Sequence, residues 1–163
     1  MNIKQSSNVW KDGIAKEITF IVTKDCQLAC KYCYLVGKNS DERMSLEVAK
    51  KAIDYILANE YDECFATESV VWDFIGGEPF LEIDLMDEIC DYIKSEMFRL
   101  NHHWFNSYRF NITTNGINYN NEKIQKYVEK NRQHLNITIT IDGTKFKHDL
   151  NRISLLSGEN FSE

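Results

Sequence analysis

Residues 18–33 read Ile-Thr-Phe-Ile-Val-Thr-Lys-Asp-Cys-Gln-Leu-Ala-Cys-Lys-Tyr-Cys. The first six residues are β-branched or aromatic, which predicts a β-strand over 18–23. The last eight place Cys26, Cys30 and Cys33 in one short loop. The sequence therefore predicts three thiols at the C-terminal end of a strand.

The three thiols predict a soft metal centre with three protein ligands. A structural zinc site normally has four protein ligands, and no His or further Cys lies close by in the sequence to supply the fourth. The spacing also differs from the bacterial ferredoxin run. We favour an open, thiolate-bound centre with one coordination position left free; structural zinc and a chance cluster of thiols are the alternatives.

The composition is typical of a single intracellular domain. The chain has 163 residues, of which 43% are hydrophobic and 27% charged, enough for one domain over residues 1–163. An odd number of Cys and the lack of an apolar signal segment favour the cytoplasm. No apolar run reaches the roughly 20 residues that span a bilayer. The net charge of −6 argues against nucleic acid as a partner.

Apolar β-rich runs alternate with helical periodicity along the chain, which predicts an α/β fold with a parallel sheet. The predicted strands are 18–23, 70–75, 109–113 and 136–141. Helices are predicted from the N-cap Ser45 to Asn59, around Leu85, Ile89, Ile93 and Met97, and around Ile124, Tyr127 and Val128. Each strand ends in a loop containing Gly or Cys, and parallel β/α folds build their sites at that end.

The loop motifs resemble those of radical S-adenosylmethionine (SAM) enzymes, over roughly Lys16 to Arg152. They are Cys-x3-Cys-x2-Cys, Gly76-Gly77-Glu78-Pro79, Thr114-Asn115-Gly116, and Thr140-Ile141-Asp142-Gly143 followed by His148, Asp149 and Arg152. Within that superfamily the Asp-Gly, His-Asp and Arg arrangement is similar to that of anaerobic sulfatase-maturating enzymes and of SPASM-type peptide maturases. The resemblance implies a partial (β/α) barrel, of which about four β/α units are present.

The resemblance also implies two cofactors, a [4Fe-4S] cluster and SAM. Cys26, Cys30 and Cys33 would hold the cluster, and its remaining iron would chelate SAM. Reductive cleavage of SAM would give a 5'-deoxyadenosyl radical that abstracts hydrogen from a peptide or protein substrate. The electron would come from an external donor such as a flavodoxin or ferredoxin.

Six further residues are implied to contact SAM. Tyr32 would lie beside the adenine, although a Tyr in the core or on the surface is the plain alternative. The backbone of Gly76 and Gly77 would meet the SAM ammonium group, with Glu78 adding negative charge. An ordinary turn before a helix that begins at Pro79 is the alternative for these three.

Thr140 and Arg152 complete the implied SAM contacts. Thr140 stands where maturases commonly carry Ser, and its hydroxyl group is retained for SAM. Arg152 would pair with the SAM carboxylate, whereas a solvated surface Arg is its plain alternative.

Other polar residues receive no role in catalysis or binding. Asn115 and Asp142 end strands at the same edge of the sheet, and turn chemistry is a sufficient alternative for both, so their roles stay open. His148 and Asp149 are expected only to shape the loop that presents Arg152.

The remaining Cys and His residues are predicted to be structural. Cys64 and Cys90 are expected as small buried hydrophobic residues without a cluster. His102, His103 and His134 lack metal-ligand spacing with the Cys triplet, so core or surface positions are expected.

Radical SAM cores resemble barrels of six β/α units, so the chain is expected to be the N-terminal portion of such a core. The fourth strand would then have an open edge that favours self-association. A fragment, a truncated gene product and a dimer all remain open. The second functional hypothesis is a non-catalytic remnant or metal-binding module that keeps the fold without SAM turnover.

Overall fold

The computed structural model describes residues 15–155. Four strands alternate with four α-helices in this part of the chain. The strands are β1 (Ala15–Thr23), β2 (Ser69–Gly76), β3 (Tyr108–Thr114) and β4 (Leu135–Ile139). The helices are α1 (Leu46–Ala58), α2 (Ile83–Arg99), α3 (Glu122–Asn131) and α4 (Lys145–Asn151). Short 3-10 helices, Pro79–Glu82 and His103–Asn106, precede α2 and β3.

The sheet is parallel, and its strand order β1-β2-β3-β4 follows the chain. The α/β fold and the parallel sheet predicted from the sequence are confirmed. No helix between residues 15 and 155 combines the length and the apolar character needed to cross a membrane.

One face of the sheet carries the hydrophobic core. Two rows of side chains run across the strands on this face, Ile18-Trp72-Phe110-Leu135 and Phe20-Phe74-Ile112-Ile137. They pack against the apolar stripes of α1, α2 and α3. The helical periodicity seen in the sequence is confirmed, because Ile53, Ile89, Ile93 and Ile124 are all buried at these positions.

The opposite face of the sheet carries a row of polar side chains, next to the apolar pair Ile21 and Ile75. Thr19, Asp73, Asn111 and Asn136 form one row across the four strands. The amide of Asn111 donates to Asp73 at 2.5 Å, and the amide of Asn136 donates to Asn111 at 2.6 Å. Because α1, α2 and α3 pack on the other face, this row lies on the side of the sheet that they leave uncovered.

Local signals in the sequence explain how the first two helices begin. The hydroxyl of Ser45 accepts a hydrogen bond from the N–H of Val48 at 3.2 Å, which confirms the predicted N-cap of α1. Pro79 is the first residue of the 3-10 helix that leads into α2. Its missing N–H group is not needed at that position.

Two predictions near the end of the described chain are wrong. β4 ends at Ile139 rather than at Ile141, because its neighbour β3 ends at Thr114 and offers no ladder partner beyond it. The sequence predicts a loop around His148, but residues 145–151 form α4, whose N-cap is the hydroxyl of Thr144. The chain makes the turn into this helix at Gly143, whose φ of +85° favours glycine.

Candidate functional site

A pocket lies at the C-terminal ends of the four strands, where the sequence predicts the site. The Cys loop follows β1, the glycine pair lies at the end of β2, and β3 ends beside them. Eight of the nine predicted site residues line this pocket: Cys26, Tyr32, Cys30, Cys33, Gly76, Gly77, Thr140 and Arg152. The ninth, Glu78, is not among the lining residues.

The three thiols differ in exposure. Cys26 is buried, with 6% of its surface exposed, and its Sγ accepts a hydrogen bond from the N–H of Leu28 at 3.4 Å. Burial raises the pKa of the Cys26 thiol. Cys30 and Cys33 are partly exposed, and the Cys33 N–H donates to the Cys30 carbonyl at 3.1 Å. Cys26 is thus the buried member of the triplet, and Cys30 and Cys33 are its more exposed members.

The chain returns to the Cys loop after α4 and pairs with it. Leu28 and Ser154 form an antiparallel bridge. Three backbone hydrogen bonds flank it, from Ala29 N–H to Ile153 O at 2.7 Å, from Lys31 N–H to Asn151 O at 3.0 Å, and from Leu155 N–H to Gln27 O at 2.9 Å. These bonds hold Arg152 against a loop that lies more than 100 positions earlier in the sequence.

Arg152 is a buried cation rather than a surface residue, because only 5% of its surface is exposed. Its Nη1 donates to the Tyr32 hydroxyl at 2.9 Å and lies 3.6 Å from Oδ1 of Asp142. The Tyr32 hydroxyl donates in turn to Asp142 at 2.6 Å. The buried Nε of Arg152 has no hydrogen-bond partner among residues 15–155. Such a buried donor is costly to leave unpaired, so it favours an anionic ligand in the pocket.

The neighbours of Arg152 keep it charged. Burial opposes the charged form, but the hydrogen bond to Tyr32 and the charges of Cys30 and Asp142 outweigh it and raise the pKa of Arg152. Burial and the hydrogen bond to Asp142 raise the pKa of the Tyr32 hydroxyl, so it remains a donor. Asp142, whose role the sequence leaves open, therefore orients both groups.

The glycine pair allows two backbone segments to approach closely. A Cβ on Gly76 would collide with the carbonyl of Thr23, and one on Gly77 with the carbonyl of Asp25. The Gly77 N–H donates to Thr23 O at 2.8 Å, and the Glu78 N–H donates to Asp25 O at 2.8 Å. The pair therefore positions the start of the Cys loop while also lining the pocket.

Glu78 lies fully buried beneath the pocket wall. Its carboxylate accepts hydrogen bonds from the Thr114 hydroxyl at 2.6 Å, the Asn115 N–H at 2.8 Å and the Phe80 N–H at 3.1 Å. Burial raises the pKa of Glu78, although these three donors oppose the rise. In this arrangement Glu78 ties the end of β2 to the end of β3.

Asn115 and Lys38 also line the pocket, although the sequence assigns neither of them a role. The Asn115 side-chain amide lies 3.9 Å from Sγ of Cys26 and donates to Gln27 Oε1 at 3.3 Å. Its place in the Thr-Asn-Gly motif after β3 is the signal that identifies it. Lys38 follows the Cys loop without any motif, and only the fold places it near Cys26. Thr140 completes the wall, and its N–H donates to Thr114 O at 3.1 Å.

The other two Cys residues lie away from the pocket lining. Cys90 is fully buried on α2, where its Sγ lies 3.2 Å from the Tyr127 hydroxyl, as expected for a structural Cys. Cys64 is exposed, so the prediction that it is buried is wrong. It lies in an irregular turn between α1 and β2, where no helix stripe or strand face draws it into the core.

Comparisons with known proteins identify the family. The model of the radical SAM superfamily matches residues 20–155. The uncharacterized protein MJ0907 of Methanocaldococcus jannaschii is 32% identical over 132 residues, which are 81% of this chain and 40% of that protein.

Two solved structures share the fold. One is the enzyme anSMEcpe with bound AdoMet and a Cp18Cys peptide, with a TM-score of 0.63 and 22% identity, covering 87% of this chain and 36% of that one. The other is anSMEcpe with AdoMet, with a TM-score of 0.64 and 22% identity, covering 88% and 37%. The chain thus spans less than half the length of these relatives. Its sheet and helices correspond to part of a radical SAM barrel, as predicted.

The family match covers most of the described residues and includes all three thiols of the Cys loop. Its cofactors are SAM and an iron–sulfur cluster, the two expected from the sequence. The chain belongs to the radical SAM superfamily.

Proposed function

We propose that this chain binds a [4Fe-4S] cluster and SAM at the pocket and cleaves SAM reductively, to modify a peptide or protein. One observation carries the proposal: a loop with three thiols meets a buried Arg152 whose Nε lacks a partner in the described structure. Thiolates are ligands for iron and sulfur, and a guanidinium group suits a carboxylate.

In this proposal Cys26, Cys30 and Cys33 are the cluster ligands. The donor set supports it, since three thiols and no other Cys line the pocket among residues 15–155. The Asn115 amide beside Cys26 Sγ supplies a dipole that favours the ionised sulfur, which offsets part of the cost of its burial.

SAM would be held from both sides of the pocket. Arg152 would use its free Nε–H to bind the SAM carboxylate, while Tyr32 and Asp142 keep its guanidinium group oriented. The exposed ring of Tyr32 offers a flat surface for the adenine. The backbone at Gly76 and Gly77 and the hydroxyl of Thr140 would contact the rest of the cofactor.

Glu78 would assist SAM binding in an indirect way. Two of its three hydrogen bonds place Thr114 and Asn115, which line the pocket, and its negative charge lies beneath that wall. A charge at this depth favours the ammonium group of SAM without direct contact, because a low-dielectric interior screens it weakly.

When bound, the two cofactors supply reductive cleavage of SAM and abstraction of hydrogen from a substrate. The electron comes from an external donor of the flavodoxin or ferredoxin type. The chain contributes binding and orientation, and Leu28, a buried residue of the Cys loop that lines the pocket, helps to exclude water from one side of the site. A cytoplasmic location accords with thiols that must stay reduced.

A peptide or protein substrate is the proposal that the observations favour. The enzyme anSMEcpe, which shares the fold, has been solved with a bound peptide. Asp73, Asn111 and Asn136 belong to the polar row of the sheet. Asp73 lies two residues before Ile75 on β2, and Asn111 lies two residues before Thr113 on β3. Both Ile75 and Thr113 line the pocket. Amide and carboxylate groups of this kind can form hydrogen bonds with a peptide backbone.

We further propose that residues 1–163 act as the N-terminal portion of a radical SAM core. β4 pairs only with β3 among the described strands. Its other edge is therefore the place where the sheet is extended, by more β/α units or by a second copy of the chain.

Anaerobic reconstitution tests the proposal. The chain should take up the iron and sulfide of a [4Fe-4S] cluster and should release 5'-deoxyadenosine when SAM and a reductant are added. A bound cluster without 5'-deoxyadenosine would contradict turnover by this length of chain. One zinc ion per chain and no cluster would favour the metal-binding module instead.

A further inference from the structure

A second group of metal-ligating side chains lies at the other end of the sheet. Glu60 follows α1 and precedes β2, while His102 and His103 lie between α2 and β3. These loops enter the N-terminal ends of the strands, whereas the Cys pocket lies at the C-terminal ends. The group is therefore separate from the pocket proposed for SAM.

The three side chains converge on one point. One ligand atom from each, a carboxylate oxygen and two ring nitrogens, lies within 4.8 Å of the other two. Oε2 of Glu60 is 3.1 Å from Nδ1 of His103 and 3.5 Å from Nε2 of His102. The two rings stack with their centroids 4.6 Å apart.

The hydrogen bonds of His103 leave a lone pair directed at Glu60. Its Nε2 lies 2.8 Å from the carbonyl oxygen of Thr67, which can only accept, so Nε2 carries the ring proton. In the neutral ring Nδ1 then carries a lone pair and faces a carboxylate oxygen. Two acceptors at this distance need a cation between them, which is either a second proton or a metal ion.

His102 points a buried nitrogen at the same place. Its side chain is 1% exposed, and its Nε2 lacks a hydrogen-bond partner in the part of the chain that the structure describes. Its Nδ1 accepts the Trp104 N–H at 3.2 Å. Metal binding through Nε2 requires the proton on Nδ1, so this long contact with Trp104 must open.

We propose that Glu60, His102 and His103 bind a divalent first-row transition-metal ion, such as Zn²⁺. Two imidazoles and one carboxylate are a ligand set suited to zinc or iron. The hydrogen bond from His103 to the Thr67 carbonyl is the outer contact that commonly orients a metal-binding His. Glu60 and His103 are 25% and 43% exposed, so an ion can enter and one position stays open to solvent.

The ion would link two of the loops that lead into strands of the sheet. Glu60 belongs to the connection between α1 and β2, and the two His residues belong to the connection between α2 and β3. A ligand that binds only the folded state raises the free energy of unfolding. The proposed role is therefore structural, and it does not depend on SAM chemistry.

Zinc titration of tag-free, cluster-loaded protein tests the proposal, since the loaded cluster occupies the three pocket thiols. Isothermal calorimetry should show one saturable Zn²⁺ site per chain, and the melting temperature should rise with zinc. The amide NMR signal of Trp104 should shift, because its contact with His102 opens. Glu60→Gln and His103→Ala should each lose the site, and both residues are exposed enough for the variants to fold.

Two variants in the same region serve as controls. Glu63→Gln removes an exposed carboxylate close to Glu60, and Cys64→Ala removes the exposed thiol of that turn. Both should keep the zinc site and the rise in melting temperature. The proposal is overturned if the wild type shows no saturable site, if Glu60→Gln and His103→Ala bind zinc as the wild type does, or if Cys64→Ala loses the binding.

Discussion

Cys26 and Cys90 are both buried thiols, but their surroundings differ. Cys26 lies at the pocket, beside the Asn115 amide and within the influence of the Lys38 charge, with 6% of its surface exposed. Cys90 is on α2 and fully buried, and its Sγ lies 3.2 Å from the Tyr127 hydroxyl on α3. Burial raises the pKa of both thiols. The comparison teaches that a place on the pocket lining, rather than burial, separates the thiol proposed to bind a metal from the structural one.

The largest expected effect is the loss of the cluster on changing the pocket. Cys30→Ala should remove the brown iron–sulfur absorption and nearly all bound iron after reconstitution, because two thiolates are left where three are needed. Absorption spectra and iron analysis measure this. Cys64→Ala is the matched control, since that thiol is exposed and distant in sequence. Full iron content in Cys30→Ala would exclude the triplet as the ligand set.

Changing Arg152 should weaken SAM binding while the iron content stays the same. Arg152→Ala removes a buried charge-assisted contact of about 1.5–3 kcal/mol, roughly tenfold to a hundredfold in affinity. The SAM affinity of Arg152→Lys should lie between those of the wild type and Arg152→Ala, because lysine keeps the charge but lacks the planar guanidinium group. Equilibrium binding of SAM to the cluster-loaded variants gives the comparison. Arg132→Ala, at a side chain that is 67% exposed, is the control, and equal affinity in all variants would remove Arg152 from the site.

Cys90→Ala should destabilise the protein without changing its iron content. It leaves the buried Tyr127 hydroxyl without its sulfur neighbour and opens a small cavity, at a cost of about 2 kcal/mol. Urea unfolding of the cluster-free chain measures the change. A lower iron content in this variant, with the cluster-free fold intact, would contradict the contrast between the two thiols.

The smallest expected effect is a dependence of stability on pH above 9. Burial raises the pKa of Cys90 from 9.0 to about 12, so the folded state keeps a proton that the unfolded state loses. The free energy of unfolding should therefore fall as the pH rises above 9, and it should be about 1 kcal/mol lower at pH 10 than at pH 9. Cys90→Ala should lack this part of the slope when urea unfolding is repeated at pH 8 and pH 10. Parallel slopes in the two proteins would show that Cys90 does not titrate in this way.

Much of the fold could be predicted because its signals are local. The apolar run at residues 18–23, the N-cap Ser45 and the stripe of Ile89 and Ile93 each act within a few turns or strand positions. The end of β4 could not be predicted from its own residues, because it depends on where β3 stops. The sequence does not predict α4, because its seven residues include no buried side chain that would mark an apolar stripe.

The candidate site could also be predicted only in part. The spacing of the Cys triplet and the glycine pair indicates the pocket, but the buried hydrogen bonds of Glu78 could not be predicted. Its hydrogen bonds to Thr114 and Asn115 connect the end of β2 to the end of β3, so this residue of the Gly-Gly-Glu-Pro motif is a buried structural contact. The residue type of Cys64 predicts burial, because cysteine is commonly buried. Cys64 is exposed instead, because it lies in an irregular turn.

By itself the sequence determined the four parallel strands, the Cys triplet at the end of β1 and the family to which the chain belongs. These features follow from the types of the side chains and from their spacing over a few neighbouring positions of the sequence. Only the tertiary structure decided that Arg152 is buried against Tyr32 and Asp142, and that Glu60 meets His102 and His103. Those contacts join residues 10 to 120 positions apart, and packing of the whole sheet and its helices is needed to bring them together.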